Sequence, residues 1–189
     1  MARIGFKKAY YAVIEGNKYG EMEEFEKVVD EKFAPEYNSA ELYANDGLAE
    51  SDYSFKKGTL SLTIADDDDK LLAALFGNTY GDSGDTDVAQ YITDIAPEVG
   101  YGHIIPKMVG GERKFKVEFF PRVKFTKVTS DNKTRGESVE FSTTALEATV
   151  MPLDKFVGPH GDGLWEAHNT FTQFEAAEEF LKQLFGVSA

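Results

Sequence analysis

The chain has 189 residues, 20 basic and 33 acidic side chains for a net charge of −13, and 13 % aromatics with 15 Phe and 9 Tyr. That length suits one domain with a real core, and the acid excess argues against adhesive binding to DNA phosphates. No cysteine is present, which excludes a disulfide framework and thiolate metal sites.

The acid excess is local: residues 33–111 hold 14 acidic against 4 basic side chains. Met1-Ala2-Arg3 leads directly into a strand-like run without the apolar core of a signal peptide, and no apolar stretch approaches a membrane span. A soluble protein made in a cytoplasm is expected.

Ile4–Ile14 reads as a strand with apolar residues on both faces: Ile4, Phe6, Tyr10 and Ile14 on one, Tyr11 and Val13 on the other. Such a strand is central or covered by a partner. Glu15–Lys32 is charged, and with Phe25, Val28, Val29 and Phe33 it fits either a short helix or a ragged strand. Tyr37–Ala44 alternates, Ala40, Leu42 and Ala44 against Ser39, Glu41 and Tyr43. Asn45-Asp46-Gly47 is a turn signal, and the run on through Asp52 reads as an exposed polar loop. Strand character returns at Tyr53–Phe55, breaks at Lys56-Lys57-Gly58, and resumes with Leu60, Leu62 and Ile64.

Asp66–Asp69 starts a helix, because an aspartate caps well and first-turn acids suit the helix dipole. Leu71, Leu72, Leu75 and Phe76 form its apolar stripe and Gly77 closes it. The spacing of a calcium loop is absent from the four aspartates, so a helix start outweighs a metal site. Asn78–Asp94 is an acidic loop; Asp82, Asp85 and Asp87 fit a solvated loop better than a calcium site.

Val99–Val109, a Gly110-Gly111 turn, and the stretch from 112 to 150 form a meander. Phe115, Val117, Phe119, Val123 and Phe125 occupy odd positions, alternating with Lys114, Lys116, Glu118, Arg122 and Lys124. A period of two predicts one apolar and one charged face. Pro121 requires an edge or a bulge, and Phe120, on the charged face, needs cover. After the turn-rich Thr129–Gly136, the return arm shifts its apolar residues from odd (Val139, Phe141) to even positions (Leu146, Ala148, Val150), which predicts a bulge or bend. Glu140 and Glu147 are expected to offset the basic face across the ladder, unless that face looks outward.

Met151–Asn169 is loop-rich, with His160, Asp162, Trp165 and His168. A linker anchored by its Trp outweighs a metal or catalytic set, since no third ligand stands at a known spacing. A final helix carries a Thr172/Glu175 capping box and a stripe of Phe174, Ala177, Leu181 and Leu184, widened by Phe180 and Phe185 and ended by Gly186. His103 reads as structural. No phosphate loop, carboxylate pair or nucleophile motif proposes an enzyme or a cofactor. The expected fold is mainly β, a sandwich or barrel over 1–150 with a flanking helix near 67–76, and a loop with a C-terminal helix over 151–189.

LYANDGLAESDYSFKKGTLSLTIADDD (Leu42–Asp68), ARIGFKKAYYAVI (Ala2–Ile14) and RGESVEFSTTALEATV (Arg135–Val150) resemble the major tail protein of long-tailed bacteriophages and their prophages, the phi13-type group. The likeness spans roughly residues 2–150. It implies a tail tube subunit: six β-sandwiches form a ring with a joined inner barrel, rings stack, and genomic DNA passes through the lumen without specific binding. By the same resemblance the partners are further copies, the tape measure, tail terminator and distal tail proteins, and the place is the virion tail, assembled in the host cytoplasm. On this reading Glu41, Asp46, Glu50, Glu140 and Glu147 are candidate lumen acids, and Asn45, Asp46, Gly47, Glu50 and Asp52 a candidate inter-ring loop. The rival readings are a monomeric β-sandwich binding module and the inner tube of a contractile injection device.

Overall fold

A computed structural model describes residues 5–25, 27–44, 47–65, 68–81, 88–131 and 143–187. Strands β1 (Lys8–Glu15), β2 (Lys18–Tyr19), β3 (Glu23–Glu24), β4 (Val28–Ala44) and β5 (Gly47–Ile64) precede helix α1 (Asp69–Phe76). A two-rung ladder of β6 (Thr79–Tyr80) and β7 (Val88–Ala89) follows within the acidic segment. The meander is β8 (Glu98–Val109), β9 (Glu112–Asp131) and β10 (Thr143–Val150); β11 (Ala167–Phe171) and helix α2 (Phe174–Leu184) end the chain. The main sheet runs β2-β1-β8-β9-β10-β5-β4, with β3 beside β1 and β11 beside β9. Every pairing among the described residues is antiparallel.

The undecided segment after Glu15 is strand and turn, and it closes the sheet. Phe25 N–H donates to Ala9 O at 2.8 Å, and Ala65 N–H donates to Lys27 O at 3.0 Å. The chain thus crosses from β1 to β5 within a few residues, and the path of hydrogen bonds returns to β1. The join covers part of β1 with β3, while the outer edge of β4 stays unpaired among the described strands.

Two cores form, one on each side of the β1-β8-β9 wall. Inside the barrel lie Tyr11, Phe25, Leu60, Leu62, Ile64, Tyr101, Phe120, Val123, Phe125 and Leu146, with Leu71 and Leu75 of α1. Outside it, Tyr10, Ala12, Tyr19, Ile104, Val117 and Phe119 meet Ala177, Leu181 and Phe185 of the C-terminal segment. β1 is therefore buried on both faces, Ala9 and Tyr11 inward and Tyr10 and Ala12 outward; Ile4 lies outside the described residues.

The single apolar face expected for 115–125 is not what forms. Opposite β8, Val99 pairs with Val123 and Tyr101 with Phe120, so Pro121 and Arg122 stand against one residue, Gly100. This bulge at Pro121 inverts the alternation. Phe115, Val117 and Phe119 face α2, while Phe120, Val123 and Phe125 face the barrel interior. Phe120 finds its cover there, 4.8 Å from the Phe33 ring and stacked on Tyr101. A second shift, between Glu147 and Ala148, leaves Thr126 of β9 as the extra residue.

Helix α1 begins as expected. Asp68 caps it, accepting from Lys70 N–H at 2.9 Å, and Gly77 closes it in the left-handed region at φ 71°. A Cβ on Gly77 would lie 2.4 Å from Ile95 O. Helix α2 starts differently: its N-cap is Gln173, and no side chain caps it, so the Thr172/Glu175 box does not form. Its end is a Schellman closure, Gly186 N–H to Gln183 O and Val187 N–H to Lys182 O. The helix sits close on the sheet because β8 carries glycine beneath it. A Cβ on Gly102 would lie 2.5 Å from Leu181 Cδ1, and one on Gly100 2.6 Å from the Tyr19 ring. The segment after 150 is thus part of the same packed body, and β11, inside what reads as loop, pairs with Phe115–Phe119 of β9.

Candidate functional site

The predicted loop from Gly47 to Asp52 is strand. β4 and β5 form one hairpin of 17 and 18 residues, paired from Val28–Ile64 out to Ala44–Gly47. Lys56 bulges where a break was expected, since Glu36 pairs with Lys57 and Tyr37 with Phe55. Beyond Gly58, β5 has left β10, so residues 36–57 form a two-stranded arm. At ~3.3 Å per residue the arm is roughly 30 Å long. Its described side chains are mostly in water: Tyr37 is 52 % and Tyr53 62 % exposed.

An aromatic series ties the arm to the body. The Phe33 ring lies against Phe120, Trp165 lies parallel to Phe33 at 6.1 Å and stacks on Phe55 at 4.1 Å, and Phe55 meets Tyr37 edge-on at 6.1 Å. Trp165 is an anchor, as expected, but what it anchors is the arm.

Of the candidate acids, Glu41 pairs in register with Ser51, and Leu42 with Glu50, both near the arm's tip; Gly47 pairs with Ala44 and Asp52 with Ala40. Asn45, Asp46 and Glu140 lie outside the described residues. Glu147 is exposed on β10 between Ser61 and Lys127. Since Ser61 stands eleven residues along β5 from Glu50, Glu147 is roughly 35 Å along the strand from the tip acids. Among the described residues the basic side chains of β9 meet acids of β8, of the segment after β10 and of β9 itself. Arg122 makes a paired contact with Glu98 at 2.9 and 2.7 Å and reaches Asp154 at 2.8 Å. Lys116 bonds Glu118 within β9, and only Lys127 stands opposite Glu147.

A buried polar cluster escapes sequence reasoning. His103, fully buried, lies between two carboxylates: Nε2 is 3.0 Å from Glu118 Oε2, and Nδ1 is 3.2 Å from Glu31 Oε2 without hydrogen-bond alignment. Tyr101 donates to the same Glu31 oxygen at 2.8 Å. These three donors are metal-ligating in type and lie within 4.8 Å of one another. The carboxylates, however, sit on opposite ring nitrogens, so the imidazole bridges them and the three do not converge on one point. An open cleft of about 440 Å³ leads to the cluster past Phe6, Val29, Phe33 and Glu166. The parts of the signal lie 87 residues apart in the chain, which is why no motif announces it. The other loop histidines are structural or peripheral: His160 bonds Leu184 O at 2.6 Å, and exposed His168 sits 3.1 Å from Glu166.

Burial pushes the Glu118 carboxyl up, but hydrogen bonds and charge from His103 and Lys116 more than reverse this and hold it at about 2, below its usual 4.5. A carboxyl depressed on folding adds stability that is complete above the unfolded value and is lost as pH falls through the folded one. The stability advantage of the native chain over Glu118→Gln, followed by urea unfolding, is therefore expected to hold at neutral pH and to disappear between pH 4.5 and about 2.

No family model and no curated protein matches the chain. Among solved structures, it is similar to the tube-terminating cap of an anti-feeding prophage, at 8 % identity over 90 % of this chain and 94 % of that one, with a TM-score of 0.44. It is also similar to a chain of the sheath–tube complex of an extracellular contractile injection system in its extended state, at 9 % identity over 88 % and 89 %, with a TM-score of 0.45. At these scores neither likeness carries an argument. No helix among the described residues is long and apolar enough to cross a membrane.

Proposed function

We propose that this chain is a structural subunit of a bacteriophage tail tube, assembling as stacked hexameric rings through which DNA is ejected, with no enzymatic role. The observation that carries self-assembly is the arm. A two-stranded ribbon alone in water is marginally stable at best, yet residues 36–57 leave the barrel as one, with the outer edge of β4 unpaired by any other described strand. An edge of that length invites a strand or surface of another copy. The tail tube assignment and its phi13-type relatives come from the sequence resemblance over residues 2–150, which includes the arm and both strands that frame it. The same resemblance supports the tape measure, terminator and distal tail proteins as partners. Glu41 and Glu50, near the arm's tip, and Glu147 on β10 are the lumen candidates whose backbone is described.

Negative-stain microscopy and light scattering of concentrated protein are expected to show rings or tubes, and a variant with 36–57 replaced by a tight turn is expected to stay monomeric with an unchanged circular dichroism spectrum per barrel. A wild-type chain that stays monomeric with and without a tail initiator complex would sink the tube reading and leave a solitary binding module. Reversing Glu41, Asp46 and Glu50 to Lys is expected to leave assembly intact and slow ejection.

A further inference from the structure

We propose that copies of this chain stack end to end by a knob at one end of β8 fitting a socket at the other. This rests on the self-assembly reading above but uses surfaces outside the arm. The knob is the turn before β8. Tyr91 N–H donates to Asp94 Oδ2 at 2.7 Å and Asp94 N–H to Tyr91 O at 3.0 Å, which fixes the turn. It presents Ile92, wholly exposed at 105 %, with Ile95 at 77 % and Tyr91 at 60 %. Single exposed apolar residues need no explanation, but three within five positions form a patch. Among the described residues 88–98 around it, Asp94 and Glu98 are acidic and none is lysine or arginine.

The socket lies at the far end of the same strand. A cavity of about 390 Å³ has apolar walls of Phe6, Pro106, Phe115 and Phe174, with Lys7, Arg113 and Glu175 around it. The Lys7 ammonium stands 5.4 Å over the Phe174 ring. Arg113 is exposed, and Met108, paired opposite it in the β8–β9 hairpin, is 36 % exposed. An apolar hole flanked by two cations and one acid matches an isoleucine flanked by acids. Glu98, just after the knob, and Pro106 in the socket wall stand eight residues apart along β8, roughly 26 Å. The two surfaces differ from each other, so the contact is heterologous, and lying at opposite ends of β8 it repeats along that strand's direction.

The absence of cysteine makes the test clean. Thr93→Cys, beside the knob and exposed, and Met108→Cys variants are mixed at concentrations where light scattering shows association, then oxidised with copper phenanthroline. The expected product is the mixed dimer, and the chain carrying both substitutions should give a ladder of covalent multimers. Adding Lys7→Glu and Arg113→Glu to the socket chain should lower the yield roughly tenfold, since it sets like charges against Asp94 without touching the turn. Association with no mixed dimer, or with only same-residue dimers, overturns the knob and socket while the arm-based reading stands. No association of the wild-type chain at all overturns both.

Discussion

Leu181→Ala is expected to lower stability by about 3–5 kcal/mol, the upper part of the range for a buried leucine. Leu181 is wholly buried and sits where α2 approaches the sheet most closely, over Gly102 and beside Phe119. The lost transfer energy is one part of the cost. The other is the cavity, which closes only if the surroundings move. They cannot move easily: beneath Leu181 is the backbone of β8, held by β1 on one side and β9 on the other, and Gly102 has no side chain to swing into the gap. Urea unfolding at neutral pH gives the difference directly. Leu181→Met, which keeps the volume, should cost less than about 1.5 kcal/mol. Equal losses for the two variants would mean that α2 is not packed on β8 as described.

The second large effect is expected at His103. Replacing it by Leu leaves Glu31 and Glu118 in place, their side chains only 7 % and 10 % exposed, without the imidazole that separates them. Removing one member of a buried charged set costs about 3–5 kcal/mol because the remaining charge stays desolvated. Here the low end, about 3 kcal/mol, is expected, since Lys116 still meets Glu118 and Tyr101 still donates to Glu31. Glu31→Gln with Glu118→Gln in the His103→Leu background should recover part of the loss. A triple variant less stable than the single one would show that the carboxylates, not the ring, hold the cluster together.

Much of the fold was legible because alternation and turn chemistry are local. Leu60, Leu62 and Ile64, the Asp68 cap, the Gly77 closure and the α2 stripe from Phe174 to Leu184 were each readable within a dozen residues. What failed depended on partners far along the chain. The odd-numbered run through Phe125 looked like one face, and only the two-against-one pairing of Pro121 and Arg122 with Gly100 shows that its halves look opposite ways. Phe120, the residue that fitted worst, was the sign of that inversion. The tip of the arm read as loop because a polar run follows the turn signal at Gly47, and its strand form is set by pairing with β4. The candidate acids were chosen by charge alone, so nothing in the reading could separate Glu147 from Glu41 in space. The His103 cluster was invisible because Glu31 and Glu118 become neighbours of that ring only once the barrel has closed.

The barrel's closure also sets an order on synthesis. Residues 8–13 of β1 hydrogen-bond to residues 99–104 of β8, so beyond its short pairings with β2 and β3 the first strand lacks its long mate until some ninety further residues have left the ribosome. At ~5–20 residues per second that wait is roughly 5–20 s. The β4–β5 hairpin needs only its own neighbouring sequence and can zip in microseconds once it emerges. Each nascent chain therefore displays its arm well before it owns a finished body, and crowded polysomes making this protein hold many sticky ribbons at once. Keeping those ribbons apart until the barrels seal falls to chaperones and to the charge repulsion of a chain carrying −13.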